Sequence, residues 1–152
     1  MVAIARNPQE VIASLTPADW HQLGSIVDDL NSYPLDLVDW VSPQEWQDDE
    51  WPHEVPLLAP VAERAVEFVY RSLTFRNDHR VGPRDIRRFA REFVDVLRKP
   101  VEELTIAEAI TRISALAEQD YRVGDVLAYA FDSGEMTSLF ERLLSFQHAL
   151  AA

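Results

Sequence analysis

The chain has no cysteine, one lysine, four glycines and no apolar run that approaches the length of a bilayer span. The first absence rules out disulfides, thiolate catalysis and cysteine-ligated zinc. The last rules out a membrane-spanning helix of ordinary length. With so little glycine there is no Gly-rich phosphate loop of either common kind, and no H-E-x-x-H, EF-hand loop or G-x-S-x-G elbow occurs. The first ten residues, MVAIARNPQE, lack the apolar core of a secretory signal, so a cytoplasmic location is the expectation.

Basic residues are missing over a long stretch. Between Arg6 and Arg64 there is neither Lys nor Arg. Residues 1–63 hold twelve acidic side chains against one basic and carry −11; residues 64–99 carry +5; residues 100–152 carry −6, for a total of −12. A field of that sign discourages nucleic acid and anionic membranes and favours cationic partners. The acidic–basic–acidic layout is itself a pointer to contacts.

What is present is helical punctuation. Asn7-Pro8 opens a short helix. Thr16, Pro17 and Asp19 form an N-cap, a first-position proline and an acid at the positive helix end; Ser42, Pro43 and Glu45 repeat the scheme, and Thr105 with Glu108 makes a capping box. Gly82-Pro83 starts a further helix and Ser133-Gly134 separates the last two. Apolar residues recur at helical intervals in 17–31, 58–75, 83–98, 105–119, 121–131 and 135–150. The spacing predicts one all-α domain, 1–152, a bundle of five to six main helices with an irregular Pro/Trp/acid-rich segment at about 32–57. Residues 35–41 alternate in the manner of a strand, but a lone strand has no partner, so a short helix or extended segment is expected there.

That segment sets Trp40, Trp46 and Trp51 among Asp39, Glu45, Asp48, Asp49, Glu50 and Glu54. Tryptophan favours binding hot spots, and ringed carboxylates speed association with cations. Trp40, Glu45, Trp46, Asp48, Asp49, Glu50 and Trp51 are therefore the candidate partner-binding residues. The competing reading buries the three indoles on the bundle, with nearby carboxylates or carbonyls accepting their N–H groups. A second candidate face lies on helix 83–98, where Arg84, Arg87, Arg88, Arg91 and Arg98 fall within a sector of about 100° opposite Ile86, Phe89, Phe93 and Leu97. It suits an acidic surface, in this chain or in a second copy, or a solvated face with local Arg88–Glu92 and Arg91–Asp95 pairs.

Glu50 and His53 have di-iron spacing, but Pro52 lies between them and no second copy exists, so no metal or cofactor is expected. His21, His79 and His148 lie in no local nucleophile or metal pattern. Neighbouring carboxylates such as Asp28-Asp29 and Glu102-Glu103 do not supply two environments across a cleft. The leading expectation is a small acidic protein-binding module for a basic protein partner, of immunity, antitoxin or inhibitor type. One alternative is an oligomerising helical subunit that uses the arginine face; another is an enzyme with a non-local site.

Overall fold

A computed structural model describes residues 5–42, 54–75, 96 and 98–147. The described residues are predominantly α-helical. They form α1 (Pro8–Ser14), α2 (Pro17–Ser32), β1 (Val38–Val41), β2 (Val55–Leu58), α3 (Pro60–Phe68), α4 (Ile106–Val123), α5 (Val126–Asp132) and α6 (Glu135–Ser145). A π-helical turn, Val69–Leu73, extends α3, and a 3-10 turn, Val101–Glu103, precedes α4.

The caps explain the boundaries. The Asn7 side chain accepts from the Glu10 N–H at 2.9 Å. Thr16 and Asp19 form a reciprocal box, as do Thr105 and Glu108. Each satisfies two backbone donors that the first turn leaves without a helical partner. The sequence places one helix over 58–75, but it starts at Pro60. A residue before proline is pushed out of the α region, and Ala59 is extended, with φ −58° and ψ 151°. Leu58 consequently belongs to β2.

The break between α4 and α5 needs two positive-φ residues, Gly124 at 83° and Asp125 at 65°. Asp125 does not cap α5 with its side chain. Asp120, still inside α4, does so instead: its Oδ1 accepts from the Leu127 N–H at 3.0 Å. Its Oδ2 lies 3.1 Å from the Tyr70 hydroxyl, which also reaches the Ala117 carbonyl at 3.1 Å. Burial, then the charge of Asp120 and its hydrogen bond, push the Tyr70 phenol up to about 12. One carboxylate thus ties the π turn, α4 and α5 together. The buried Ser114 hydroxyl adds a second tie, accepting from the Phe75 N–H at 3.1 Å.

The core is built from the predicted stripes. Leu23, Ile26 and Leu30 of α2 meet Ala65 and Phe68 of α3, Ile110 and Ile113 of α4, Phe131 of α5, and Leu139, Phe140 and Leu143 of α6. Phe131 and Phe140 pack edge to face with centroids 6.4 Å apart. Trp20 lies partly buried against this core.

Within 32–57, the described residues 38–41 and 55–57 are strand rather than the short helix or extended segment expected. β1 pairs antiparallel with β2, with Val38 opposite Leu58, Asp39 opposite Leu57, Trp40 opposite Pro56 and Val41 opposite Val55. The lone strand has a partner after all. Pro56 lacks a backbone donor, and its position tolerates that. The Ala59 N–H donates to the Leu37 carbonyl at 2.8 Å, so strict alternation makes Trp40–Pro56 a non-hydrogen-bonded pair. The missing proline donor then faces the outer edge, where it also discourages further strand pairing.

Candidate interaction surface

Alternation gives the ribbon two faces. Val38, Trp40, Pro56 and Leu58 point inward, and Val38 is fully buried. The Trp40 ring stacks on Tyr129 of α5, centroids 4.7 Å apart and planes tilted by 34°. Its indole N–H donates to Asp132 Oδ2 at 3.3 Å. The expectation that a carboxylate would satisfy this indole holds, but the acid comes from 92 residues downstream rather than from the local acidic run.

The outward face carries Asp39, Val41, Val55 and Leu57. Leu57 is 49% exposed and Val55 40%, and Leu35, just ahead of β1, is 73% exposed. Asp36, Asp39 and Glu54 are exposed beside them. Among the described residues none of these three carboxylates has an ion pair. The result is an apolar strip edged by negative charge, in a part of the chain with no basic residue between Arg6 and Arg64.

Trp40 is therefore the one predicted partner-binding residue placed here, and it supports the ribbon from below. Glu45, Trp46, Asp48, Asp49, Glu50 and Trp51 lie outside the described residues, as does the Ser42–Pro43 helix start beyond Ser42. Of the predicted arginine face, Arg84, Arg87, Arg88 and Arg91 lie outside them too, together with the Gly82-Pro83 start. Arg98 is exposed and helical, just ahead of the 99–104 connection. His21 is exposed on α2, while His53, His79 and His148 are outside the described set. Among the described residues no three His, Asp or Glu side chains converge as metal ligands. No helix among them is long and apolar enough to cross a membrane.

Sequence reasoning missed Leu35, Val55, Leu57, Tyr129 and Asp132. Only Tyr129 left a local trace: it is off the apolar stripe of VLAYAFD, and it is 63% exposed.

A larger open cleft, about 730 Å³, brings Lys99, Arg112 and Arg142 together below the N-terminus of α6. Each of the three has a partner within the fold. Arg112 pairs with Glu135 at 2.7 Å and donates to the Lys99 carbonyl at 2.8 Å. Arg142 donates to the Leu104 carbonyl at 2.9 Å and lies 4.5 Å over the Phe146 ring. Lys99 pairs with Glu108 at 2.9 Å. The Thr105 backbone N–H and then the Lys99 hydrogen bond hold the Glu108 carboxyl below its usual range. These groups brace the 99–104 connection against α4 and α6.

Comparison with known protein families, curated proteins and solved structures finds no match to this chain.

Proposed function

We propose that this protein is a binding module that engages a basic protein partner through the outward face of the β1–β2 ribbon and its acidic border. The observation that carries the reading is the exposure of Leu57 and Val55 on the outward face of the ribbon, with Asp39 opposite Leu57, Glu54 next to Val55, and Leu35 and Asp36 exposed just ahead of β1. Single exposed apolar residues are ordinary, but clustered ones with a polar rim mark contact surfaces. The apolar strip supplies desolvation energy, and the carboxylates select and steer a cationic partner. The sequence continues the same chemistry through Glu45, Asp48, Asp49 and Glu50. A carboxylate array of this kind can occupy a phosphate-binding groove, which is how an immunity protein, antitoxin or inhibitor of a nucleic-acid-binding protein would act.

Affinity capture from the native host tests the reading, with the wild-type chain and a Val55→Thr/Leu57→Ser variant as baits. A basic protein should be recovered by the wild type at low salt. It should be lost at about 1 M salt, where the screening length shrinks to roughly 3 Å, and lost by the variant at low salt. Recovery of the same partner by both baits, or at both salt concentrations, would sink the proposal.

A further inference from the structure

A second cleft, about 420 Å³, opens between α4 and α5 next to the ribbon. Leu116, Val126 and Ala130 give it apolar walls, and Tyr129 and Asp132 stand at its rim. Its other polar groups are already engaged. Glu135 is held by Arg112 at 2.7 Å, and the Ser133 hydroxyl donates to the Ala130 carbonyl at 3.2 Å. Asp132 is different. Among the described residues its carboxylate accepts one bond, from the Trp40 indole to Oδ2, at 3.3 Å. The surrounding sequence reinforces its sign: residues 118–135 contain five acids and one base, Arg122, and that base is paired with Glu118 at 2.8 Å.

We infer that this cleft anchors a lysine or arginine side chain of the basic partner, an inference that rests on the function proposed above. The shape matches an amphipathic side chain. Its methylenes would lie along Leu116 and Val126, as long cationic stems do on apolar surface. Its charge would meet the exposed Tyr129 ring and the Asp132 carboxylate, combining a cation–π contact with an ion pair. A neutral apolar ligand would leave the carboxylate without a cationic partner, and an anion would be repelled. Trp40 contacts both Tyr129 and Asp132, so the cleft adjoins the inner side of the ribbon.

The test is an NMR titration of the full chain with three probes: Nα-acetyl-lysine amide, Nα-acetyl-arginine amide and the uncharged Nα-acetyl-norleucine amide. Saturable shifts of the Tyr129 ring and the Leu116 and Val126 methyls are expected with the two cations and not with norleucine. Tyr129→Leu and Asp132→Asn should each weaken lysine-probe binding about threefold, and the double variant should abolish saturation. An unmoved Trp40 indole resonance in Asp132→Asn, whose amide oxygen can still accept, shows that the ribbon remains docked. Norleucine binding as tight as lysine, cation binding unchanged in Asp132→Asn, or no saturable shift would each overturn the inference. Saturable probe binding with failed partner capture would remove the basic partner but keep the cation pocket. Partner capture without probe binding would remove the pocket alone.

Discussion

The inner face of α6 and the outer face of the ribbon use the same kinds of side chain with opposite outcomes. On α6, Leu139, Phe140 and Leu143 are wholly removed from water. On the ribbon, Leu57 keeps about half of its surface in water, and Leu35, just ahead of β1, keeps most of its own. Full burial of a leucine or phenylalanine stabilises a fold by roughly 1.5–3 kcal/mol. The ribbon and its lead-in forgo most of that gain at Leu35 and much of it at Leu57. Its inner face is tied down well, through the Trp40–Tyr129 stack and the Trp40–Asp132 bond, so its geometry does not depend on the outer residues. What the contrast teaches is a division of labour: the helices carry stability, and the ribbon presents apolar surface that folding does not need.

The largest way to break that comparison is to attack the helices. Phe140→Ala removes a fully buried ring from contact with Phe131. The expected loss is about 3–5 kcal/mol, read as a drop in the urea midpoint of the whole cooperative transition. A ribbon that unfolded in a separate, unaffected transition would show that the two regions are not one cooperative unit.

Next in size is Asp120→Ala. It strips the cap from α5 and one of the two acceptors from Tyr70, at an expected cost of about 2 kcal/mol. The same corner sets an alkaline limit. The Tyr70 pKa is raised from 10.0 to about 12 in the fold, so its contribution is complete below pH 10 and disappears as pH rises from 10 to 12. Tyr70→Phe should flatten that limb of a stability–pH curve. Glu108 works in the opposite sense. Its folded pKa lies below 4.5, so its contribution is present above pH 4.5 and is lost as pH falls through the lower, folded value. Glu108→Gln should therefore bring the stability curves of variant and wild type closer together in acid. Parallel curves across both limbs would remove these two groups from the account.

Trp40→Phe probes the seam between the regions. The ring can still meet Tyr129, but the donor to Asp132 is gone. The expected cost is about 1 kcal/mol. A change as large as that of Phe140→Ala would mean that the ribbon belongs to the stability core.

The helices were legible because their signals are local. Thr16 with Asp19 and Thr105 with Glu108 are three residues apart, and the buried stripes repeat within each helix. The ribbon was not, because its evidence is non-local and partly misleading. Residues 35–41 alternate like a strand but show no partner nearby, that partner lies beyond the acidic tract, and it carries Pro56, which needs no donor toward β1 only in this pairing register. Of the candidate site, the sequence pointed to Trp40 and to the negative border. It could not show that Tyr129 and Asp132 arrive from α5 to hold that indole, or that Leu57 and Val55 face outward, since a one-residue change of register would exchange the two faces.

The smallest expected stability effect tests the comparison most directly. Val55→Thr with Leu57→Ser replaces two outward side chains that are 40% and 49% exposed. Threonine keeps the branched shape that strands favour, and neither change alters the inward set of Val38, Trp40, Pro56 and Leu58. The urea midpoint should move by no more than about 0.5 kcal/mol in equivalent stability, and the Trp40 indole resonance should not move. Binding of the basic partner should nevertheless fall sharply, since truncation at a desolvated contact costs more than truncation at a surface that stays wet. The two readouts have to separate. If stability falls by several kcal/mol, the outer residues serve the fold, and the distinction between ribbon and helices disappears. If stability and partner affinity are both unchanged, the exposed strip is ordinary surface, and the acidic border would have to act through other residues.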